Sequence, residues 1–138
     1  MRAQSALLTL CAAAATALTL AASEKAPDSY VKNMKDTNVA MQELRRGLDA
    51  KDYDTIARGA GTLRALFETT QKFWEDRKTE DAITVAKNAA KAAGDLETAA
   101  KAKNEEAVAA SAKIVQGSCK TCHDAHRERL PDGSSEIK

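Results

Sequence analysis

The chain has 138 residues, with 21 lysines and arginines against 20 aspartates and glutamates, and a formal net charge of +1. That balance gives no basis for binding nucleic acid or an anionic membrane, and the length suits one domain. Aromatic residues make up only 4% of the sequence, alanine is plentiful, and glycine and proline are rare, a composition that favours helix and leaves few large side chains for a core.

At the N-terminus, Arg2, the apolar run Ala6–Leu20 and the small residues Ala21, Ala22 and Ser23 have the layout of a secretory signal peptide over residues 1–22. An uncleaved membrane anchor is the alternative, but the run is short for a spanning helix of ~20 residues. Lipid attachment at Cys11 is disfavoured, because Leu10 precedes it where a small residue is wanted. Cleavage leaves residues 23–138 as one domain without stable membrane insertion. It also leaves Cys119 and Cys122 as the remaining cysteines, with no third thiol for a disulfide or a separate metal site.

A first helix is predicted over about residues 28–50, where Tyr30, Met34, Thr37, Met41, Leu44 and Leu48 recur at spacings of four and three. Asp52 is placed to cap a second helix over about 53–74, with Tyr53, Ile56, Ala60, Leu63, Phe67, Thr70 and Trp74 on one stripe. Gly59 and Gly61 in it would admit a neighbouring helix or a cofactor. A third helix starts at Thr79 or Glu80, continues through Gly94 and turns near Lys103–Asn104, with Ala82, Val85, Ala89, Ala92, Leu96, Ala99 and Lys103 inward. Asn104 caps a fourth, expected over Glu105–Leu130, with Ala107, Ile114, Thr121 and Ala125 inward; Pro131-Asp132-Gly133 stops it and a loose tail follows. No strand-like alternation of β-branched residues is found. Four helices of ~20–25 residues, each ~30–38 Å long, with short connections predict an all-α, antiparallel, up-down-up-down four-helix bundle.

The fourth helix carries Cys119-Lys120-Thr121-Cys122-His123. Two thiols three positions apart with a histidine directly after the second is the attachment pattern of a c-type haem. Each thiol forms a thioether with one vinyl group, and His123 binds the iron. A redox dithiol lacks the βαβ context it needs, and His123 and His126 lie too close to the cysteines for ordinary zinc spacing. One covalent haem c is therefore the expected cofactor. It also brings the apolar bulk that the side chains do not. Thioether formation after export makes a bacterial periplasm the expected location. No Ser/His/acid set and no phosphate-binding glycine loop is found, so an enzyme is not expected.

This motif on the last helix of an all-α chain, within Gly117–Arg127, resembles the class II cytochromes c, the cytochrome c′ family. Trp74-Glu75-Asp76 and the spacing from Asn104 to Cys119 are further echoes, and His126 stands where the family usually has tyrosine. The resemblance implies haem between the helices, iron held by His123, and a first-helix residue over the opposite face. Members with an apolar residue there are five-coordinate and bind NO or CO, whereas members with methionine are six-coordinate electron carriers.

Met34 lies in the matching region and is the expected sixth ligand. Met41, two turns and ~10 Å further along, competes with it, and an open site is the third alternative. Arg127, four residues after His123, is expected on the same helical face, where it would pair with a haem propionate or shield the proximal side, with a solvated surface arginine as the alternative. His126 belongs near the haem edge or in solvent, and Trp74 and Phe67 are core anchors. The expected function is single-electron transfer with redox partner proteins, with NO or CO binding as the alternative. Both monomers and homodimers occur in the family.

Overall fold

The computed structural model describes residues 22–138. The signal-peptide reading of residues 1–22 falls almost entirely outside them. The elements in chain order are β1 (Glu24–Lys25), α1 (Asp28–Ala50), α2 (Tyr53–Asp76), α3 (Glu80–Lys101), α4 (Glu105–His126), β2 (Arg127–Arg129) and β3 (Ser135–Ile137). The predicted bundle is present. Connections of two or three residues make successive helices antiparallel, so α1 and α4 also run in opposite directions.

Local chemistry sets the helix limits. The side chains of Asp52 and Asn104 accept from the backbone N–H groups of Thr55 and Ala107, each at 3.1 Å, and so cap α2 and α4 as anticipated. Thr79 precedes α3 without a side-chain cap. The three helix turns each contain a lysine in the left-handed region: Lys51 at φ 52°, Lys78 at 56° and Lys103 at 53°. Lys103 is thus an exposed turn residue rather than part of the inner stripe of α3, because that helix ends at Lys101.

Alanine determines how closely the helices approach. Ala82, Ala86, Ala89, Ala90, Ala92, Ala93, Ala99 and Ala100 are all buried on α3, and α2 and α3 form the most intimate pair of the bundle. Small side chains let the two axes come together, and interaxial distance follows the side chains at the contact. Gly59 and Gly61 serve the helices and not a cofactor: a Cβ would lie 3.4 Å from the Leu44 backbone at Gly59 and 3.4 Å from the Glu97 side chain at Gly61.

Two parts differ from expectation. On α4 the buried residues are Val108, Ala112 and Val115, while Ile114 is 54% exposed and Thr121 and Ala125 face solvent. The true inward stripe, Val108–Ala112–Val115–Cys119–Cys122, runs at spacings of four and three directly into the cysteines. The tail is also ordered. The helix stops at His126, and β2 and β3 form an antiparallel hairpin extended by β1, in the order β1-β3-β2. Gly133, at φ 86°, makes the turn. Ile137 anchors the sheet in a second apolar cluster with Ala26, Trp74 and Ala82. Arg77 adds an ion pair to Glu24 of β1.

Candidate haem site

Three neighbouring helix pairs, α1–α2, α2–α3 and α3–α4, pack closely, but α1 and α4 make almost no close approach. The gap between them is the mouth of a cleft of about 150 Å³. Cys119, Cys122 and His123 line it from α4, Met34 and Met41 from α1, Phe67 and Thr70 from α2, and Val85, Ala86 and Ala89 from α3. The structure therefore gathers the motif and both candidate methionines around one hollow.

A polar lock orients α1. Asn33 is buried, and its side-chain amide donates to Thr70 Oγ1 at 2.8 Å and to the Leu66 carbonyl at 3.3 Å. Thr37 Oγ1 donates back to the Asn33 carbonyl at 2.8 Å. The two Asn33 bonds fix the rotation of α1 against α2 and so turn Met34 toward the cleft. A buried pair of this kind is costly to break.

Ring contacts bring α1 and α4 to one aromatic cluster: Tyr30 lies 5.9 Å from the Trp74 ring, which lies 4.9 Å from that of His126. Met34 is one turn along α1 from Tyr30, ~6 Å, and His123 is three residues back along the antiparallel α4 from His126, ~4.5 Å in the same direction. Both therefore follow this cluster on their helices, and both line the cleft. Met41 lines it from ~16 Å along α1 from Tyr30. It is 3% exposed and belongs to the main core.

The electrostatics suit ligation. Burial, aided by the charge of Arg127, lowers the His123 pKa despite the nearby Asp124, favouring the neutral imidazole that metals bind. As free thiols, Cys119 is raised by burial and Cys122 is pushed up to about 11 by burial and the charges of Asp81 and Cys119. Burial likewise raises the Tyr30 hydroxyl, against the approach of the Trp74 indole. The Trp74 N–H is buried without an acceptor at hydrogen-bond geometry among the described residues.

His126 packs on Trp74 and donates from Nε2 to Asp81 Oδ2 at 2.8 Å, linking α4 to α3. Arg127 is not on the face of His123 as expected, because it lies beyond the helix in extended conformation (φ −119°, ψ 125°) and is exposed. Sequence reasoning did not single out Tyr30, Asn33, Asn38 or Arg45 as parts of the site. All but Asn33 line the cleft. Only the stripe position of Tyr30 gave any signal of this.

A donor set of two thiols and an adjacent imidazole, opposite a thioether in an apolar slot between two unpaired helix faces, fits a covalently tethered haem. Among the described residues, no group of three or more His, Cys, Asp or Glu side chains offers another metal site. No helix there is long and apolar enough to cross a membrane. Residues 28–127 match the family model described as Cytochrome C′, well over half of the chain. No curated protein and no solved structure matched.

Proposed function

The chain belongs to the cytochrome c′ family, and on that premise we propose that it is a periplasmic electron carrier whose single haem iron is held by His123 and Met34. Membership makes it a haem-binding c-type cytochrome with covalently bound haem c. The haem supplies an iron that changes charge by one electron between its ferric and ferrous forms.

The chain's own residues do the rest. Cys119 and Cys122 tether the ring edge to α4, and His123 offers a neutral nitrogen. Met34 offers a soft sulfur, and a Met/His pair raises the reduction potential. The apolar walls from Phe67, Val85, Ala86 and Ala89 keep water from the iron. The Asn33–Thr70 lock holds the methionine in place through both oxidation states, which keeps rearrangement on electron transfer small. Export to the periplasm brings the protein to redox partner proteins and to the conditions for thioether formation.

The observation that supports this reading is that Met34 from α1 and His123 from α4 line one cleft at the α1–α4 gap, each within a turn of the aromatic residues that close it. Met34→Ala is expected to turn a low-spin optical spectrum high-spin and to open the iron to CO. An unchanged spectrum would remove Met34 as ligand. A wild-type protein that is already high-spin and binds CO at once would instead be a five-coordinate gas binder.

A further inference from the structure

A second hollow continues outward from the cleft and shares Tyr30, Met34, Asn38, Cys122 and His123 with it. Its far wall is the C-terminal hairpin. The two hollows differ in charge. Arg45 is the one arginine, lysine or carboxylate residue along the inner hollow. The outer one has Lys25, Lys35, Arg127 and Arg129 against Asp28, Asp132 and Glu136. Two of those acids are already engaged: Asp132 accepts from the Ser134 N–H and hydroxyl, and Glu136 from the Ser23 hydroxyl at 2.6 Å. Among the described residues, neither Arg127 nor Arg129 forms an ion pair.

The strand register puts both arginines, which remain exposed, on the side of the outer hollow. Arg127 pairs with Ile137 and Arg129 with Ser135, and directly paired residues share one face of a sheet. Ile137 is buried against Trp74 and Ala26, so its face is the inward one. The two residues, two positions apart on a strand, have their backbones ~7 Å apart.

We propose that the hairpin completes the haem site and that Arg129, beside Arg127, binds a haem propionate. The inference rests on the covalent-haem reading. A haem fastened by its vinyl edge to Cys119 and Cys122 carries its two carboxylates on the opposite edge, and charged oxygens go to water and cations rather than to an alanine-lined interior. Two forked cations facing two carboxylates give charge-assisted hydrogen bonds.

The test uses the haem-loaded protein and the variants Arg129→Gln, Arg129→Lys, Arg45→Gln and, as an equal change of net charge on an exposed part of α1, Arg46→Gln. Haem staining on a denaturing gel first checks attachment; its absence from the wild type would sink the reading beneath the proposal, not the proposal's geometry. Loss of a cation beside the ring disfavours the ferrous form, which has one positive charge fewer. Arg129→Gln is therefore expected to lower the midpoint potential and shift the propionate bending band in resonance Raman spectra. Arg129→Lys should recover most of the potential, and Arg46→Gln should leave both readouts at wild-type values. An Arg129→Gln protein indistinguishable from Arg46→Gln would overturn the proposal. So would the same shifts appearing in Arg45→Gln in place of Arg129→Gln, which would put the carboxylates at the inner end.

Discussion

At the end of the bundle where α1 turns into α2 and α3 into α4, Leu44, Ile56, Leu63, Leu96 and Val108 interlock with alanines in one buried cluster. Lys51 and Glu105 bridge the two turns at 2.5 Å. At the other end the same four helices keep the same periodicity, yet α1 and α4 stand apart. There Met34, Thr37, Thr70, Ala86 and Ala89 surround space. An aromatic cluster of Tyr30, Phe73 and Trp74 closes the end beyond, with Tyr30 stacked on Phe73 at 4.0 Å. Helical periodicity decides which way a side chain points, but side-chain volume decides whether the space is filled. One end is a finished core, and the other is a frame that needs a large apolar guest.

This contrast predicts that stability and spectrum separate by location. Leu63→Ala, in the finished core, should cost about 2–5 kcal/mol in denaturant unfolding and leave the optical spectrum of the haem unchanged. A spectral change there would mean that the two ends are not independent. Asn33→Ala lies at the boundary. It removes the hydrogen bonds from α1 to Thr70 and the Leu66 carbonyl and is expected to cost about 1–3 kcal/mol, with part of the population turning high-spin as Met34 loses its register. Asn104→Ala should cost about 1 kcal/mol through loss of a helix cap, again with no spectral effect.

A further prediction concerns pH. The Tyr30 pKa is raised mainly by burial, so above the ordinary tyrosine value of ~10 the unfolded chain releases a proton that the folded chain retains. Stability should therefore fall as pH rises through that value. Tyr30→Phe should flatten this part of a stability profile followed by circular dichroism.

Legibility in the sequence followed the size and regularity of the signal. The limits of α1 and of the caps at Asp52 and Asn104 were readable, because large apolar residues repeat and the capping side chains sit at the breaks. On α4 the prediction followed Ile114, the largest apolar residue of its middle, which lies outside. The inward face is built from Val108, Ala112 and Val115, whose small volumes carry little hydrophobic signal. Extending the four-three spacing backward from Cys119 would have found them.

The hairpin was unreadable for another reason. Its strands have three residues each, too few for alternation, and it is held by the distant contact of Ile137 with Trp74. Cys119, Cys122, His123 and Met34 were named from local spacing and family pattern. Arg45 lines the inner hollow and Arg129 the outer one, and Asn33 anchors α1 on α2, only through contacts across the chain.

The central claim is that iron sits in the α1–α4 gap between His123 and the Met34 sulfur. X-ray absorption at the iron edge of the exported, haem-loaded protein tests it most directly. The account predicts a sulfur scatterer in the first coordination shell of the wild type that disappears in Met34→Ala. A shell of nitrogen and oxygen alone in the wild type, or a sulfur signal that survives the substitution, would contradict it.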